Sequence, residues 1–312
     1  MLTVTQIRSR IADNQAVNIA FLGDSTTAGL CCVGYPNVWT NGLSYGCVNN
    51  EIGFSPTLDI NSPYYINLNG YPTQPQQDNL AIPTAVRLVR TYIESLNPAS
   101  KVYNFGISGA DAATHIGVGT VAIIAATVPK PDVVLVNLGI NSAKNNQNQN
   151  ADLQTIISGI LAADMQCVLV IPNNMGVAYT AGGVWVAEST PDQWVPMDNW
   201  PTTRNGIKAL ALSNNLEIID LGSDDGALDI TGLYDAFHPS NIGYARIAST
   251  YINWTNIIEV GSTKGSLRMQ GFRNNIQVDT QGVLRAKDSS FKLSGKSDGS
   301  VRVLTSYGVI KS

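Results

Sequence analysis

The sequence predicts a doubly wound α/β domain in which helices cover both faces of a five-stranded parallel sheet. Two observations predict this fold. Short runs rich in Val, Ile and Leu recur along the first 260 residues, as expected of parallel strands that are buried on both faces. Segments with the helical spacing of apolar residues lie between these runs. Because functional groups of such folds gather at the carboxyl ends of the strands, we expect the site there.

Five apolar runs are the predicted strands, and four periodic segments are the predicted helices. The strands are predicted at Val17–Leu22, Val102–Phe105, Val133–Leu138, Cys167–Ile171 and Leu216–Leu221. The helices are predicted at Ala85–Leu96, Leu153–Ala163, Ile207–Ser213 and about Asn241–Ile258. Cys167 is interpreted as a small buried apolar side chain, because it lies inside one of the apolar runs.

Two stretches, 30–78 and 172–201, are longer than connections between neighbouring elements need to be. They are rich in polar and aromatic residues, and loops of this length are usually functional or disordered. We expect them to line a substrate cleft, and the alternative is that they are surface loops packed on themselves. The candidate substrate-binding residues are Tyr35, Trp39, Trp185 and Trp194.

The C-terminal residues 261–312 differ from the rest of the chain. They hold 9 of the 19 basic residues and 3 of the 23 acidic ones, and they lack Pro, Trp and Cys. Short alternating runs separated by Gly, Asp and Ser predict strands and turns. We therefore divide the chain into a domain of residues 1–260 and a small all-β appendage. So small a unit forms a marginal core, so we expect it to dock on the first domain or pair with copies of itself as a homo-oligomer.

The composition excludes several classes of protein. Charged residues make up 13% of the chain, about half of the usual roughly 25%, and the formal net charge is −4. A nucleic-acid partner is not expected without a basic surface, and no apolar run reaches the ~18 residues of a membrane span. The N-terminus shows no secretory signal pattern. With only His115 and His238, a multi-histidine metal site is excluded, and Cys47 could bridge to Cys31 or Cys32 without this being established.

A candidate nucleophile, Ser25, follows the first predicted strand. It lies in the sequence Gly-Asp-Ser-Thr-Thr-Ala-Gly over residues 23–29, where a tight turn into a helix would present its hydroxyl above the sheet. A phosphate-binding loop is not indicated, because the Gly-x-x-x-x-Gly-Lys pattern is absent. A serine of this kind also requires a general base and groups that stabilise an oxyanion.

The candidate general base is His238. It follows Asp235 by three residues and precedes Pro239, which is suited to start the last helix. A turn could bring the Asp235 carboxylate to the imidazole and orient the ring. His115 has no comparable surroundings in the sequence, and we interpret it as structural or peripheral.

Candidate oxyanion donors follow the second and third predicted strands. Residues 106–109 read Gly-Ile-Ser-Gly, and residues 139–142 read Gly-Ile-Asn-Ser. The backbone N–H of Gly109 is open to close approach by a ligand, and the side-chain amide of Asn141 can donate to a developing oxyanion. That the two motifs follow successive strands is stronger evidence for a function than either motif alone.

Four sequence blocks, namely Gly-Asp-Ser at 23–25, Gly-Ile-Ser-Gly at 106–109, Gly-Ile-Asn-Ser at 139–142 and Asp-Ala-Phe-His-Pro at 235–239, together resemble the SGNH (GDSL-type) hydrolase family. They occur in family order over about residues 17–250. Thr26 stands where the family commonly has Leu, and Ser142 replaces the family's Asp after Asn141. The resemblance implies a three-layer, flavodoxin-like α/β/α sandwich and ester hydrolysis through a serine. It also implies a triad of Ser25, His238 and Asp235, an oxyanion hole made by Ser25, Gly109 and Asn141, and no metal or organic cofactor.

Three features favour a carbohydrate O-acetyl esterase with an acetylated glycan as its substrate. The two insertions are polar and aromatic, they lack the aliphatic runs of an acyl-chain groove, and the charge-poor composition resembles that of phage-tail or cell-surface glycan-processing proteins. Such a protein would act extracellularly or on a virion. The first alternative is a lipase or aryl esterase acting on a small ester. The second is a catalytically silent glycan-binding or structural module.

Overall fold

The computed structural model describes residues 1–29, 84–173, 199–222 and 238–255 with their side chains. It also describes the backbone of short strands between residues 176 and 310. Several predicted features lie outside the described residues. These are Asp235, Tyr35, Trp39, Trp185, Trp194 and Cys47, together with the insertion 30–78 and most of 172–201.

The centre of the fold is a five-stranded parallel sheet, as the sequence predicts. Its strands are β1 (Asn18–Gly23), β2 (Lys101–Gly106), β3 (Val133–Asn137), β4 (Gln166–Ile171) and β7 (Glu217–Asp220), in the order β2-β1-β3-β4-β7. Between β4 and β7 in the chain, the short strands β5 (Gly176–Val177) and β6 (Val195–Pro196) pair with each other. In the central sheet Gly23 lies opposite Gly106 on one side and Asn137 on the other. The carboxyl ends of three neighbouring strands are therefore level.

Nine helices surround the sheet within the described ranges. They are α1 (Val4–Ala12), α2 (Ser25–Ala28), α3 (Ala85–Leu96), α4 (Ala112–Val118), α5 (Thr120–Ala126), α6 (Ile140–Lys144), α7 (Asn150–Ala162), α8 (Trp200–Ser213) and α9 (Asn241–Thr255). Helix α3 has the bounds that the sequence predicts. Helices α7 and α8 begin earlier than predicted, and α9 ends earlier. Helix α2 lies where the sequence predicts a turn into a helix at Ser25, whereas the short helices α1, α4, α5 and α6 were not predicted from the sequence.

The N-termini of two helices explain part of the difference between the predicted and the observed helices. Helix α1 starts with a capping box, in which the Thr3 hydroxyl accepts from the Gln6 N–H and the Gln6 side chain accepts from the Thr3 N–H. Helix α8 starts at Trp200 with Pro201 in its first turn, a position that proline favours. Trp200 is 4% exposed and packs against Ile140 and Ala143. The two residues that end the predicted insertion 172–201 are thus part of a helix.

The sheet is the middle layer of a three-layer sandwich. Along β1, Ile19 and Phe21 belong to one hydrophobic cluster with residues of α1, α3 and α9. Ala20 and Leu22 belong to a second cluster with residues of α4, α5, α7 and α8. Alternate side chains of a strand point to opposite faces, so the two clusters are the two interfaces of the sandwich. Cys167 lies in the second cluster with 1% exposure, and burial raises the pKa of its thiol to about 12.

Further strands follow α9 along the chain. Strands β8 (Ile258–Val260) and β9 (Leu267–Met269) pair antiparallel. Strands β10 (Ile276–Val278), β11 (Leu284–Ala286), β12 (Phe291–Gly295), β13 (Val301–Thr305) and β14 (Gly308–Ile310) form an antiparallel sheet in sequence order. That residues 261–312 fold as a separate unit stays a prediction. Among the described helices, none is both long enough and apolar enough to cross a membrane.

Candidate active site

A tight turn at the end of β1 presents Ser25. Asp24 caps helix α2, and its Oδ1 accepts hydrogen bonds from the backbone N–H of Thr26 at 2.9 Å and from the Thr26 hydroxyl at 2.8 Å. Ser25 is the first residue of the helix, so its N–H has no acceptor within it. The helix ends after one turn at Gly29, whose φ is +95°. The turn therefore places the Ser25 hydroxyl and a spare backbone donor together.

Two asparagines tie this turn to the neighbouring strands. Asn104 of β2 donates from Nδ2 to the carbonyl oxygen of Thr27 at 3.1 Å, and its Oδ1 accepts from the N–H of Gly106. Asn137 of β3 donates from Nδ2 to Thr27 Oγ1, also at 3.1 Å. Neither asparagine is among the site residues predicted from the sequence. The signal that could have found them is a lone Asn near the carboxyl end of an otherwise apolar strand.

The turn packs so closely on these strands that glycine is needed at its sides. A Cβ atom on Gly23 would overlap Thr27 Oγ1, and one on Gly106 would overlap the backbone nitrogen of Ala28. Neither position has room for a side chain without moving helix α2. The strand ends thus hold the residues around Ser25 in one place.

Ser25 and His238 meet across the long sequence separation between them. The Ser25 Oγ lies 2.9 Å from His238 Nε2, within hydrogen-bond distance. His238 lies just before α9, and the first turn of that helix is held by Ser240, whose hydroxyl accepts from the N–H of Gly243. The structure therefore brings together two of the three residues of the predicted triad. The third, Asp235, falls outside the described part of the chain.

The second block, residues 106–109, lies beside the turn that carries Ser25. The N–H of Ile107 donates to the carbonyl oxygen of Gly23 at 2.8 Å, which extends the pairing of β1 and β2 past their ends. Gly109 has a φ of +79° in the following turn, is exposed, and has open space where a Cβ would be. Its backbone is thus accessible to a ligand, as the predicted role requires.

The third block contacts the second through Asn141. The Asn141 Nδ2 donates to the carbonyl oxygen of Ala110, 2.8 Å away, so it lies against the residue that follows Gly109. A side-chain amide has two N–H donors, and this bond uses one of them. The other can donate to a ligand. The structure thus places Gly109 and Asn141 in adjoining turns.

Ser142, which replaces the family's Asp, has its own partner. Its hydroxyl donates to Gln149 Oε1 at 3.0 Å, and Gln149 Nε2 donates to the carbonyl oxygen of Leu138 at 3.3 Å. Both side chains are buried. The turn that carries Asn141 is therefore supported by Gln149, a residue that the sequence analysis did not single out.

His115 is a buried structural residue beneath the nucleophile turn. Its Nε2 donates to the carbonyl oxygen of Gly23 at 3.0 Å, because a carbonyl oxygen can only accept, and its Nδ1 then accepts from the Thr120 hydroxyl. Burial lowers the pKa of His115 to about 4. The ring is neutral at pH 7 and has both nitrogens occupied, which agrees with its interpretation as structural.

Asp24, the residue before Ser25, is a buried ionisable group. Its side chain is fully buried, and burial raises the pKa of its carboxyl to about 6, opposed by the hydrogen bonds from Thr26 and by the charge of His238. Among the described residues its Oδ2 has no hydrogen-bond donor. The charge of Asp24 also adds to the effect of burial that raises the pKa of the Tyr251 phenol.

The arrangement is suited to nucleophilic chemistry. A hydroxyl bonded to an imidazole can lose its proton to that ring as it attacks an electrophile, and the nearby amide donors can stabilise negative charge on the product of that attack. Within the described ranges, no three side chains of His, Cys, Asp and Glu are grouped so that they could hold a metal ion.

Comparison with solved structures found several whose fold resembles that of this chain. An acetylxylan esterase from Geobacillus stearothermophilus is 16% identical with a TM-score of 0.47, and the match covers 80% of this chain and 97% of that one. An α/β hydrolase from the metagenome of Lake Arreo, Spain, is 12% identical with a TM-score of 0.48, covering 78% and 97%. A lipolytic protein of the G-D-S-L family from Veillonella parvula is 14% identical with a TM-score of 0.45, covering 76% and 97%.

Comparison with protein families gave a match over more than half of the chain. The model of the GDSL-like lipase/acylhydrolase family matches residues 69–246. This span contains Gly109, Asn141 and His238, whereas Ser25 lies before it. No curated protein matches the sequence.

Proposed function

The chain belongs to the GDSL-like lipase/acylhydrolase family and is a hydrolase of ester bonds, and from this premise we propose that it is a serine esterase that removes O-acetyl groups from a glycan. The family confirms the resemblance to SGNH hydrolases. The proposal concerns the residues that carry the reaction and the class of substrate. One observation carries it, namely the 2.9 Å contact between Ser25 Oγ and His238 Nε2.

The first step is attack by Ser25 on the carbonyl carbon of the ester. His238 accepts the hydroxyl proton at Nε2 as the Oγ–C bond forms, which gives a tetrahedral intermediate with an oxyanion. His238 then gives this proton to the oxygen of the leaving sugar as the C–O bond of the ester breaks, so the sugar leaves with a free hydroxyl. The acetyl group remains on Ser25 Oγ as an ester.

The oxyanion is stabilised by three donors. They are the N–H of Ser25 at the start of α2, the N–H of Gly109, and the second N–H of the Asn141 amide. Support comes from the accessible backbone of Gly109 and from the hydrogen bond that holds Asn141 against Ala110. Fixed donors of this kind need no reorganisation when the negative charge develops.

Asp235 orients the imidazole in this proposal. Its carboxylate accepts from Nδ1–H of His238, which leaves Nε2 free of a proton and able to accept one from Ser25. The support for this role is its place three residues before His238 and the family pattern. Water then attacks the acetyl-enzyme by the same route in reverse, and His238 again acts as base and acid.

The support for a glycan substrate comes from composition. The chain is weakly charged at 13%, and the insertions 30–78 and 172–201 combine polar and aromatic residues, which can stack on sugar rings and bond to hydroxyls. Neither insertion contains the long aliphatic runs that a groove for an acyl chain would use. A short acyl group on a polar alcohol fits these features.

The test varies both the length of the acyl chain and the alcohol of the ester. Initial rates are measured on p-nitrophenyl acetate, butyrate and octanoate, and acetate release is measured on a panel of acetylated polysaccharides. We expect the acetate ester to be the best of the three and at least one polysaccharide to be deacetylated. A preference for octanoate with no acetate release would instead support a lipase, and the absence of all activity would support a silent binding module.

Two controls belong to this experiment. Ser25→Ala reports background hydrolysis, and it is expected to be inactive on every substrate. EDTA tests the mechanism, because a reaction through Ser25 and His238 needs no metal ion. Strong inhibition by EDTA would overturn the proposed mechanism.

A further inference from the structure

A polar cleft adjoins the turn that carries Asn141. It has a volume of about 220 Å³ and lies between residues 146–150, at the start of α7, and Asn199, Thr202 and Thr203, at the start of α8. Every one of the described residues that line it is Asn, Gln or Thr. A cleft lined in this way offers hydrogen bonds and no charge.

Two contacts connect the cleft with the candidate active site. Gln149, which lines the cleft, bonds to Ser142 next to Asn141. Thr203, on the opposite wall, is so close to Gly139 that a Cβ there would lie 3.2 Å from Thr203 Cγ2. Two side chains that line the cleft therefore contact the residues on either side of Asn141. A ligand in the cleft would lie beside the turn that carries Asn141.

Several polar groups of the cleft are not used by the fold. Asn199 occupies the N-cap of α8, yet its side chain makes no capping bond. The side chains of Gln147 and Thr202 are exposed and form no hydrogen bond with other residues that the structure describes. A side chain that neither caps a helix nor bonds to a neighbour keeps its full capacity for a ligand.

The chemistry of these groups selects the ligand. Carboxamides and hydroxyls both donate and accept, which matches the hydroxyls of a sugar ring, and the absence of charge among the lining residues disfavours an ionic ligand. The volume lies below the roughly 300–1,000 Å³ of whole small-molecule sites. It suits one ring of a chain that continues outside.

We propose that this cleft is a binding subsite for an uncharged sugar ring of the glycan whose ester reaches Ser25. The inference rests on the proposed function for the identity of the substrate, and it names the residues that bind the glycan away from the ester. Gln147, Asn199 and Thr202 contribute to the affinity for a polysaccharide and contribute nothing to the chemical step.

The first measurement is kinetic and uses the double variant Gln147→Ala/Asn199→Ala and the single variant Thr202→Val. The loss of about two neutral hydrogen bonds is expected to raise KM for the acetylated polysaccharide about tenfold or more. The kcat/KM for p-nitrophenyl acetate is expected to stay within about twofold of wild type, because that ester does not reach the cleft. Asn205→Ala is the matched control, since Asn205 is exposed on the same helix and does not line the cleft.

The second measurement is direct binding and does not depend on turnover. Calorimetry on the full chain uses neutral hexasaccharides of glucose, mannose, xylose, galactose and N-acetylglucosamine. At least one is expected to bind wild type and Asn205→Ala equally, and to bind the double variant about tenfold more weakly or not at all. The cleft proposal is overturned if no hexasaccharide binds or if the cleft variants bind as wild type does. Failure of the proposed function would be distinct, as it appears in the lack of acetate release by wild type.

Discussion

The imidazole of His115 donates from Nε2 to the carbonyl oxygen of Gly23, 3.0 Å away and two residues before Ser25. Both histidines of the chain therefore contact the same turn. His238 contacts the Ser25 hydroxyl, where it can exchange a proton, whereas His115 contacts the backbone with both ring nitrogens occupied. Residues of one type in one small region thus have different tasks, and substitution can separate them.

Replacement of each histidine by glutamine is expected to affect a different property, the turnover for His238 and the stability for His115. His238→Gln should lower kcat by about 10⁴-fold or more and leave the melting temperature nearly unchanged, because it removes the proposed general base. His115→Gln should lower the unfolding free energy by about 1–3 kcal/mol and reduce kcat far less, because it disturbs two buried hydrogen bonds. Assays on p-nitrophenyl acetate and thermal melts check both. Equal losses of kcat in the two variants would contradict this division.

Ser25→Ala is expected to abolish esterase activity, with at least a 10³-fold loss of kcat on p-nitrophenyl acetate. The physical reason is that the Ser25 hydroxyl lies 2.9 Å from His238 Nε2, where the imidazole can accept its proton. Ser108, which is half-buried in the neighbouring block, provides the matched control. The assignment of Ser25 fails if Ser108→Ala is inactive while Ser25→Ala keeps more than a few per cent of the activity.

Asn141→Ala is expected to lower kcat about 10²–10³-fold with little change in KM for p-nitrophenyl acetate, because the amide donates to charge that develops only in the transition state. Asn145→Ala, at the exposed end of the same short helix, should behave like wild type. Steady-state kinetics on the three proteins gives the comparison. A rise in KM at constant kcat would show instead that Asn141 binds the ground state of the substrate.

Asp24 is expected to make stability depend on pH in a known direction. The pKa of its carboxyl is raised from 3.8 to about 6 in the folded protein. The stability that the protonated group contributes is complete below about pH 4 and is lost as the pH rises through about 6, because ionising this buried carboxyl is costly only in the folded state. The full change is about 3 kcal/mol of unfolding free energy.

Asp24→Asn tests this, since it cannot ionise and keeps an oxygen for the bonds from Thr26. From pH 4 to 7 the unfolding free energy of the variant relative to wild type should move in favour of the variant by up to about 3 kcal/mol. Urea unfolding at pH 4, 5, 6 and 7 measures the difference directly. Comparing two proteins cancels the opposite contribution of His115, whose lowered pKa makes both less stable as the pH falls from 6.5 to about 4. A difference that is constant with pH would refute the role of Asp24.

A chain of residues 1–260 is expected to keep its activity on p-nitrophenyl acetate, because all four motif blocks precede residue 261. Its mass in solution, measured by light scattering beside the full-length chain, is expected to be that of a smaller assembly if the C-terminal strands pair between copies. A folded but inactive product would show that residues 261–312 contribute to the site. Unchanged assembly and activity would contradict the pairing.

Local pattern was enough to predict the architecture and the main chemical candidates. A buried parallel strand needs a short run of Val, Ile and Leu, and this requirement is visible in the sequence at each of the five strands. Helix α3 has the predicted bounds because its apolar spacing continues to the end of the helix. The turn around Ser25 is also local, since Asp24 caps the helix that Ser25 begins.

What only the tertiary structure decided are the contacts between distant segments. The order β2-β1-β3-β4-β7 makes Asn104 and Asn137 neighbours of the Ser25 turn, and it brings His238 to 2.9 Å from Ser25. No periodicity along the chain encodes these contacts, because they depend on which strands lie side by side and on which buried polar groups then find partners. By itself, therefore, the sequence determined the elements and the candidate residues, and the packing of the sheet decided how they meet.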